Sequence, residues 1–124
     1  MYGGKYSRDN LPVLKNKFYI VNLDDKHGEG THWILIYNVK DKDCIYFDSF
    51  GIDPPEEVLK RMRDTKKRVL MNEFRIQDIN SFMCGYFCNY VIKHLKNGRP
   101  YHEILLDFSS NDFKKNDEIM KKHI

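Results

Sequence analysis

The sequence predicts an α+β protein, a small and mainly antiparallel sheet packed by helices, and three features carry that reading. From Phe18 to Asp48 the apolar residues come in short runs rich in β-branched and aromatic side chains, broken by Asp and Gly clusters. After Gly51 the period becomes helical. From Cys84 to Leu95 a single apolar stripe holds helical spacing. At 124 residues the chain suits one domain, 1–124, burying roughly two-thirds of the surface its unfolded form would expose, and is too short for two. Aromatic residues at 14% give it enough to bury against its ordering entropy, which argues against disorder. No apolar run approaches the ~20 residues of a membrane-spanning helix, so no membrane partner is expected.

Taken in order, residues 1–10 carry Gly3, Gly4 and several polar groups and read as an irregular arm, the two glycines supplying flexibility. Phe18 to Leu23 is a strand, bounded by Asp24-Asp25 and the Gly28/Gly30 loop. His32 to Val39 is almost continuously apolar, as a central strand buried on both faces would be. Asp41-Lys42-Asp43 makes a turn, and Cys44 to Asp48 returns antiparallel because the connection is short. Pro54-Pro55-Glu56-Glu57 opens a helix, with proline in the first turn and acids at the positive end of the dipole; Val58, Leu59 and Met62 form its apolar stripe. Arg68 to Ile76 is again strand-like. Ser81 or a neighbour caps a helix from about Met83 to Lys96, where Cys84, Phe87, Cys88, Val91, Ile92 and Leu95 share one face, and Gly98 stops it. Short amphipathic helices over 101–108 and 112–123 complete the outline.

A net charge of +3 is too mild for a dedicated nucleic-acid binder. Locally, Lys60, Arg61, Arg63, Lys66, Lys67 and Arg68 stand against the single acid Asp64, a patch that could meet phosphate or an acidic partner and that reads equally as a solvated helix face and turn. The opening residues lack the apolar segment of a secretory signal, so the chain is expected to act inside a cell rather than be secreted. Three cysteines, an odd number, argue against a disulfide framework and leave room for a working thiol.

Cys84 sits where the long helix begins, and unpaired N–H groups and the helix dipole there favour a thiolate. Gly85 after it would let a substrate backbone approach. By position alone Cys84 could equally be a packed cysteine like Cys88. His32 opens the central strand beside a flexible loop, a place suited to a general base, although a lone histidine is more often ordinary. With the hairpin centred near Lys42, Asp48 would face position 36, so contact with His32 does not follow from pairing. A carboxylate orienting the ring is nonetheless what a thiolate–imidazolium pair needs. Gln77, seven residues before Cys84, could aim an amide at a developing oxyanion or simply be surface polar. No metal site is expected: Cys84-x3-Cys88 with His27 or His94 lacks a fourth ligand. Gly28 and Gly30 lack the helix and Lys-Ser/Thr of a phosphate loop.

In order along the chain, Gly30-Thr31-His32-Trp33, Tyr46-Phe47-Asp48-Ser49-Phe50-Gly51, Gln77 and Cys84-Gly85-Tyr86-Phe87-Cys88 resemble the adenovirus-type cysteine proteases. These form the adenain-like branch of the clan that also holds the SUMO-specific proteases, and the likeness is closest to the short enzymes of virophages, adintoviruses and Maverick/Polinton elements. It covers about Leu11 to Leu95. The resemblance implies a papain-related fold with the nucleophile at the start of a central helix. Cys84 would be the nucleophile, His32 its base, Asp48 the orienting acid and Gln77 the oxyanion donor beside the Cys84 backbone N–H. Trp33 and Gly85 would line a narrow substrate groove that admits glycine. The adenovirus enzyme has Glu at the acid position, where this chain has the shorter Asp48.

The implied reaction is peptide hydrolysis through a thioester, typically on capsid and core precursors at Gly-containing motifs, in the host cell or the virion. No cofactor is required, although stimulation by DNA or by a peptide is a family trait and would draw on the Lys60–Arg68 patch. A protein substrate is the expected partner, and the chain is expected to be a monomer. Two other readings share these residues: a ubiquitin-like-protein isopeptidase, and a non-catalytic module of the same fold that holds a peptide or nucleic acid.

Overall fold

The near-continuous apolar run at the centre of the first half folds as a strand covered on both faces. The computed structural model describes residues 2–23, 32–78 and 81–122. Its five strands are β1 (Tyr2–Ser7), β2 (Phe18–Asn22), β3 (Trp33–Asn38), β4 (Cys44–Phe47) and β5 (Val69–Met71), lying side by side in that order. Four helices accompany them: α1 (Glu56–Arg63), α2 (Cys84–Lys96), α3 (Tyr101–Leu105) and α4 (Phe113–Lys122).

Side chains alternate across β3 and β4. Ile34, Ile36, Cys44 and Tyr46 face a layer formed by Val58 and Met62 of α1 with Leu11 and Leu14. Leu35, Tyr37, Ile45 and Phe47 face Phe87, Cys88, Val91 and Ile92 of α2, with Tyr101, Ile104, Phe108 and Met120 beyond. The sheet thus lies between two apolar layers, which is why β3 is not alternately polar. Cys44, on the α1 side, is separated from Cys84 and Cys88 by the sheet.

The sheet is mixed, not mainly antiparallel. β2–β3 and β3–β4 are antiparallel, the second as its short connection requires, but β1–β2 and β4–β5 are parallel. The β4–β5 connection passes through α1, a crossover that returns the chain in the same direction. The residues read as an irregular arm form an edge strand instead. Gly4, at φ +115°, sits at a bulge in β1, and a Cβ on Gly3 would lie 2.3 Å from the Tyr19 ring, so the two glycines serve a close strand approach rather than flexibility.

β5 stops at Met71, well short of Ile76, because Asn72 turns its side-chain amide onto the backbone of Asp48 in place of ladder pairing. Helix α2 matches the expected span, with the Met83 N–H donating to Ser81 Oγ (3.2 Å) and Gly98 at φ +86° after its end. α3 is shorter than the periodicity suggests, and α4 begins one residue later than expected. No helix among the described residues is long and apolar enough to cross a membrane.

Candidate functional site

The β3–β4 hairpin settles the question left open by its turn. Leu35 pairs with Phe47 and Asn38 with Cys44, so the turn centres on Asp41, at φ +58°, and not on Lys42. Continuing that register sets Asp48 opposite Ile34 instead of Ile36, close enough for His32 Nε2–H to donate to Asp48 Oδ1 at 2.7 Å. With Nε2 holding its proton against the carboxylate, Nδ1 is the ring nitrogen left for a thiol.

That thiol is Cys84, at the first position of α2 and buried. The Trp33 N–H points at its sulfur (3.5 Å), while the Cys88 thiol donates to the Trp33 carbonyl (3.5 Å), so one residue of β3 holds both cysteines of α2 through its backbone. Burial alone would push the Cys84 thiol up; the His32 imidazole and the N–H groups of Trp33 and Gly85 outweigh it, and the thiol sits below its ordinary value. Burial likewise pulls the His32 ring down, but the Asp48 carboxylate and the Cys84 sulfur reverse this and hold it at about 9. Nδ1 is buried and makes no well-formed hydrogen bond, yet the Cys84 sulfur lies near enough to raise the ring first as a hydrogen-bond partner and then as a charge. The other two thiols go the opposite way: burial raises Cys44 to about 11 and Cys88 well above its ordinary value.

The segment after β4 fixes this arrangement. Asp48 is 1% exposed, and Asp48 Oδ1 also accepts the Phe50 N–H (2.8 Å). The Phe50 ring lies 4.6 Å from the His32 ring, covering it. Ser49 donates through Oγ to Gln77 Oε1, and its carbonyl accepts the N–H groups of Ile76 and Gln77. Gly51, at φ +67°, lets the Phe74 backbone come so near that a Cβ would lie 2.6 Å from its carbonyl carbon. Gln77 is buried, with Nε2 donating to the Ser81 carbonyl at 2.8 Å; one amide hydrogen remains, on a side chain tied to the segment that leads into Cys84.

Asn72 went unrecognised in the sequence. Its Oδ1 accepts the Asp48 N–H (3.0 Å), its Nδ2 donates to the Asp48 carbonyl (2.6 Å), and Tyr101 of α3 reaches both Asn72 Oδ1 (3.5 Å) and the Tyr46 carbonyl (2.9 Å). An asparagine set directly after an apolar strand run, as Asn72 follows Val69-Leu70-Met71, is the signal that could have exposed it.

Of the remaining candidates, Trp33 is half-buried at the start of β3 with Lys5 Nζ 6.0 Å from its ring centre, and Gly85 faces open space, a Cβ there meeting nothing within 4 Å. Gly28, Gly30, Thr31 and His27 lie outside the described residues. The basic patch is partly committed to the fold. Arg61 donates to the Leu11 carbonyl (2.9 Å), Lys67 to that of Val39, and Arg68 pairs with Asp43 (3.1 Å), leaving Lys60, Arg63 and Lys66 exposed. A cavity of about 570 Å³ lies at the other end of the hairpin, lined by Tyr37, Val39, Ile45, Leu70 and Arg99 among others, and contains none of the four residues His32, Asp48, Gln77 and Cys84.

No protein-family model matches the sequence, and neither does any curated protein. Among solved structures, the crystal structure of the ASFV pS273R protease has a similar fold, with a TM-score of 0.57 and 22% identity, covering 80% of this chain and 40% of that one. The chain therefore spans less than half the length of that protease. The expected α+β protease fold is borne out at the level of architecture, with the sheet mixed.

Proposed function

We propose that the chain is a cysteine endopeptidase of the viral type, with Cys84 as nucleophile, His32 as base, Asp48 as orienting acid and Gln77 as oxyanion donor. The observation that carries this reading is the union, at one end of the sheet, of a buried carboxylate 2.7 Å from an imidazole with a thiol whose pKa is lowered by that same imidazole. The order of the Gly30–Trp33, Tyr46–Gly51, Gln77 and Cys84–Cys88 motifs supports placing it with the short adenain-like enzymes, and a fold shared with a viral protease agrees.

In the reaction, the Cys84 thiolate attacks the scissile carbonyl carbon and its electron pair becomes the C–S bond. The carbonyl oxygen takes the negative charge and accepts from the Cys84 backbone N–H and the free Gln77 amide hydrogen, a contact of the kind worth about 3 kcal/mol. As the C–N bond breaks, the His32 imidazolium gives its proton to the leaving amine. Neutral His32 then takes a proton from water, whose oxygen attacks the thioester carbonyl, and the Cys84 thiolate leaves, regenerating the ion pair. Asp48 holds the ring throughout.

Viral capsid and core precursors cut at Gly-containing motifs are the substrates this reading favours, with Trp33 and the open face of Gly85 supporting a narrow groove. Stimulation by DNA, if it occurs, would draw on Lys60, Arg63 and Lys66. Incubating wild-type and Cys84→Ala protein with structural precursor proteins, Gly-containing peptides and ubiquitin-like precursors tests the assignment by mass spectrometry. Cleavage of the first two by wild type alone is expected. Cutting confined to the ubiquitin-like precursors would make the chain an isopeptidase, and cleavage by neither protein would make it a binding module.

A further inference from the structure

Away from Cys84, where α2 ends, the sheet bounds the cavity of about 570 Å³. Ile45 and Leu70 form its floor, and Leu95 from the last turn of α2 and Leu105 of α3 form its walls. The space lies within the range of roughly 300–1,000 Å³ common to pockets for small organic molecules. Leu70, Leu95 and Leu105 pack against the core yet stay only partly buried, so each keeps apolar surface for an occupant to cover. Gly98 lines the cavity too, and a Cβ on it would meet nothing within 4 Å.

The charges around this apolar space do not balance. Lys42, Arg68 and Arg99 stand at it against one carboxylate, Asp43. Asp43 pairs with Arg68 at 3.1 Å and Asp107 with Arg99 at 2.7 Å. Lys42 is exposed and has no ion pair among the described residues, so one cation is left at the mouth without a counterpart. A single positive charge beside an aliphatic cavity is complementary to an aliphatic body ending in a single anion. At about 30 Å³ for a water-sized group, the space admits a chain of about ten carbons and its carboxylate. We propose that the cavity binds a medium-chain aliphatic carboxylate, with its alkyl chain against Ile45, Leu70, Leu95 and Leu105 and its charged end at Lys42. The site stands apart from the candidate triad, because Leu95 lies about 16 Å along the axis of α2 from Cys84. It therefore holds whether or not the chain is a protease.

The test is titration of the wild-type chain with decanoate, and with decylammonium as a chain of the same length and opposite charge. Binding is read by calorimetry and by the NMR methyl signals of Leu70, Leu95 and Leu105. One-to-one binding of decanoate that shifts those methyls is expected, about five-fold or more tighter than decylammonium. Lys42→Glu, an exposed substitution that leaves the fold intact, should remove that preference. Leu105→Trp, which fills the space, should weaken decanoate by about ten-fold or more, and the wild-type methyl shifts decide the matter should that variant not fold. Methyls unmoved by millimolar decanoate, or a preference for the anion that survives Lys42→Glu, would overturn the inference and leave the protease reading untouched.

Discussion

At the scale of single residues the site separates three thiols that composition cannot distinguish. Cys84 is held below its ordinary pKa by His32 and two backbone N–H groups, whereas Cys44 and Cys88 are pushed up by burial. Cys84→Ala should therefore abolish peptide cleavage with the fold intact, while Cys44→Ala and Cys88→Ala should each lose about 1 kcal/mol of stability in denaturant titration and keep most activity. Asn72 acts through Asp48. Asn72→Ala strips both backbone partners from a buried residue, a loss of about 1–3 kcal/mol. As a positioning residue it should also move the ring: His32, read by NMR titration, should fall from about 9 towards its ordinary 6.5 as the carboxylate drifts. An unshifted His32 in this variant would assign Asn72 a purely structural part. None of these ties was visible from spacing, because Asn72 and Asp48 meet only when β4 and β5 pair in parallel.

At the scale of elements, what the sequence showed well was whatever local pattern dictates. The apolar stripe of α2, the Pro-Pro-Glu-Glu start of α1 and the doubly buried β3 all came through, since each depends on neighbours three or four places away or on the next side chain. What did not come through depends on distant partners. β1 becomes a strand only because β2 offers it an edge, and the parallel pairings follow from a crossover that no periodicity encodes. The hairpin register turned on a single residue, the left-handed Asp41, and with it the contact of His32 with Asp48. The turn after β4 is equally exacting. Gly51→Ala would place a Cβ against the Phe74 carbonyl at a positive φ, a strain of about 1–3 kcal/mol before any clash. It should displace the segment that carries Gln77, so the variant should lose more cleavage activity than its denaturation midpoint alone would explain.

At the scale of the molecule, the proposed chemistry draws on four separate pieces of chain that converge at one end of the sheet: the start of β3, the end of β4, the stretch from Asn72 to Gln77, and the start of α2. The candidate residues were legible as types in a family-like order, and their meeting was not, since it spans sheet and helix. Both partners' shifts define a pH window for the assembled site. The thiolate is lost as pH falls through the lowered pKa of Cys84, and the imidazolium is lost as pH rises through about 9. Activity should follow a bell whose upper limb lies near 9, and Asp48→Asn should draw that limb downward. The claim on which all of this stands is the charge pair between Cys84 and His32. Its most direct test is the pH dependence of alkylation at each cysteine, located by peptide mass spectrometry, in wild-type and His32→Ala protein. The account predicts that Cys84 alone reacts rapidly near neutral pH and that His32→Ala moves its titration up towards about 8.5. Equal reactivity of the three thiols, or a Cys84 titration untouched by the loss of the ring, would contradict it.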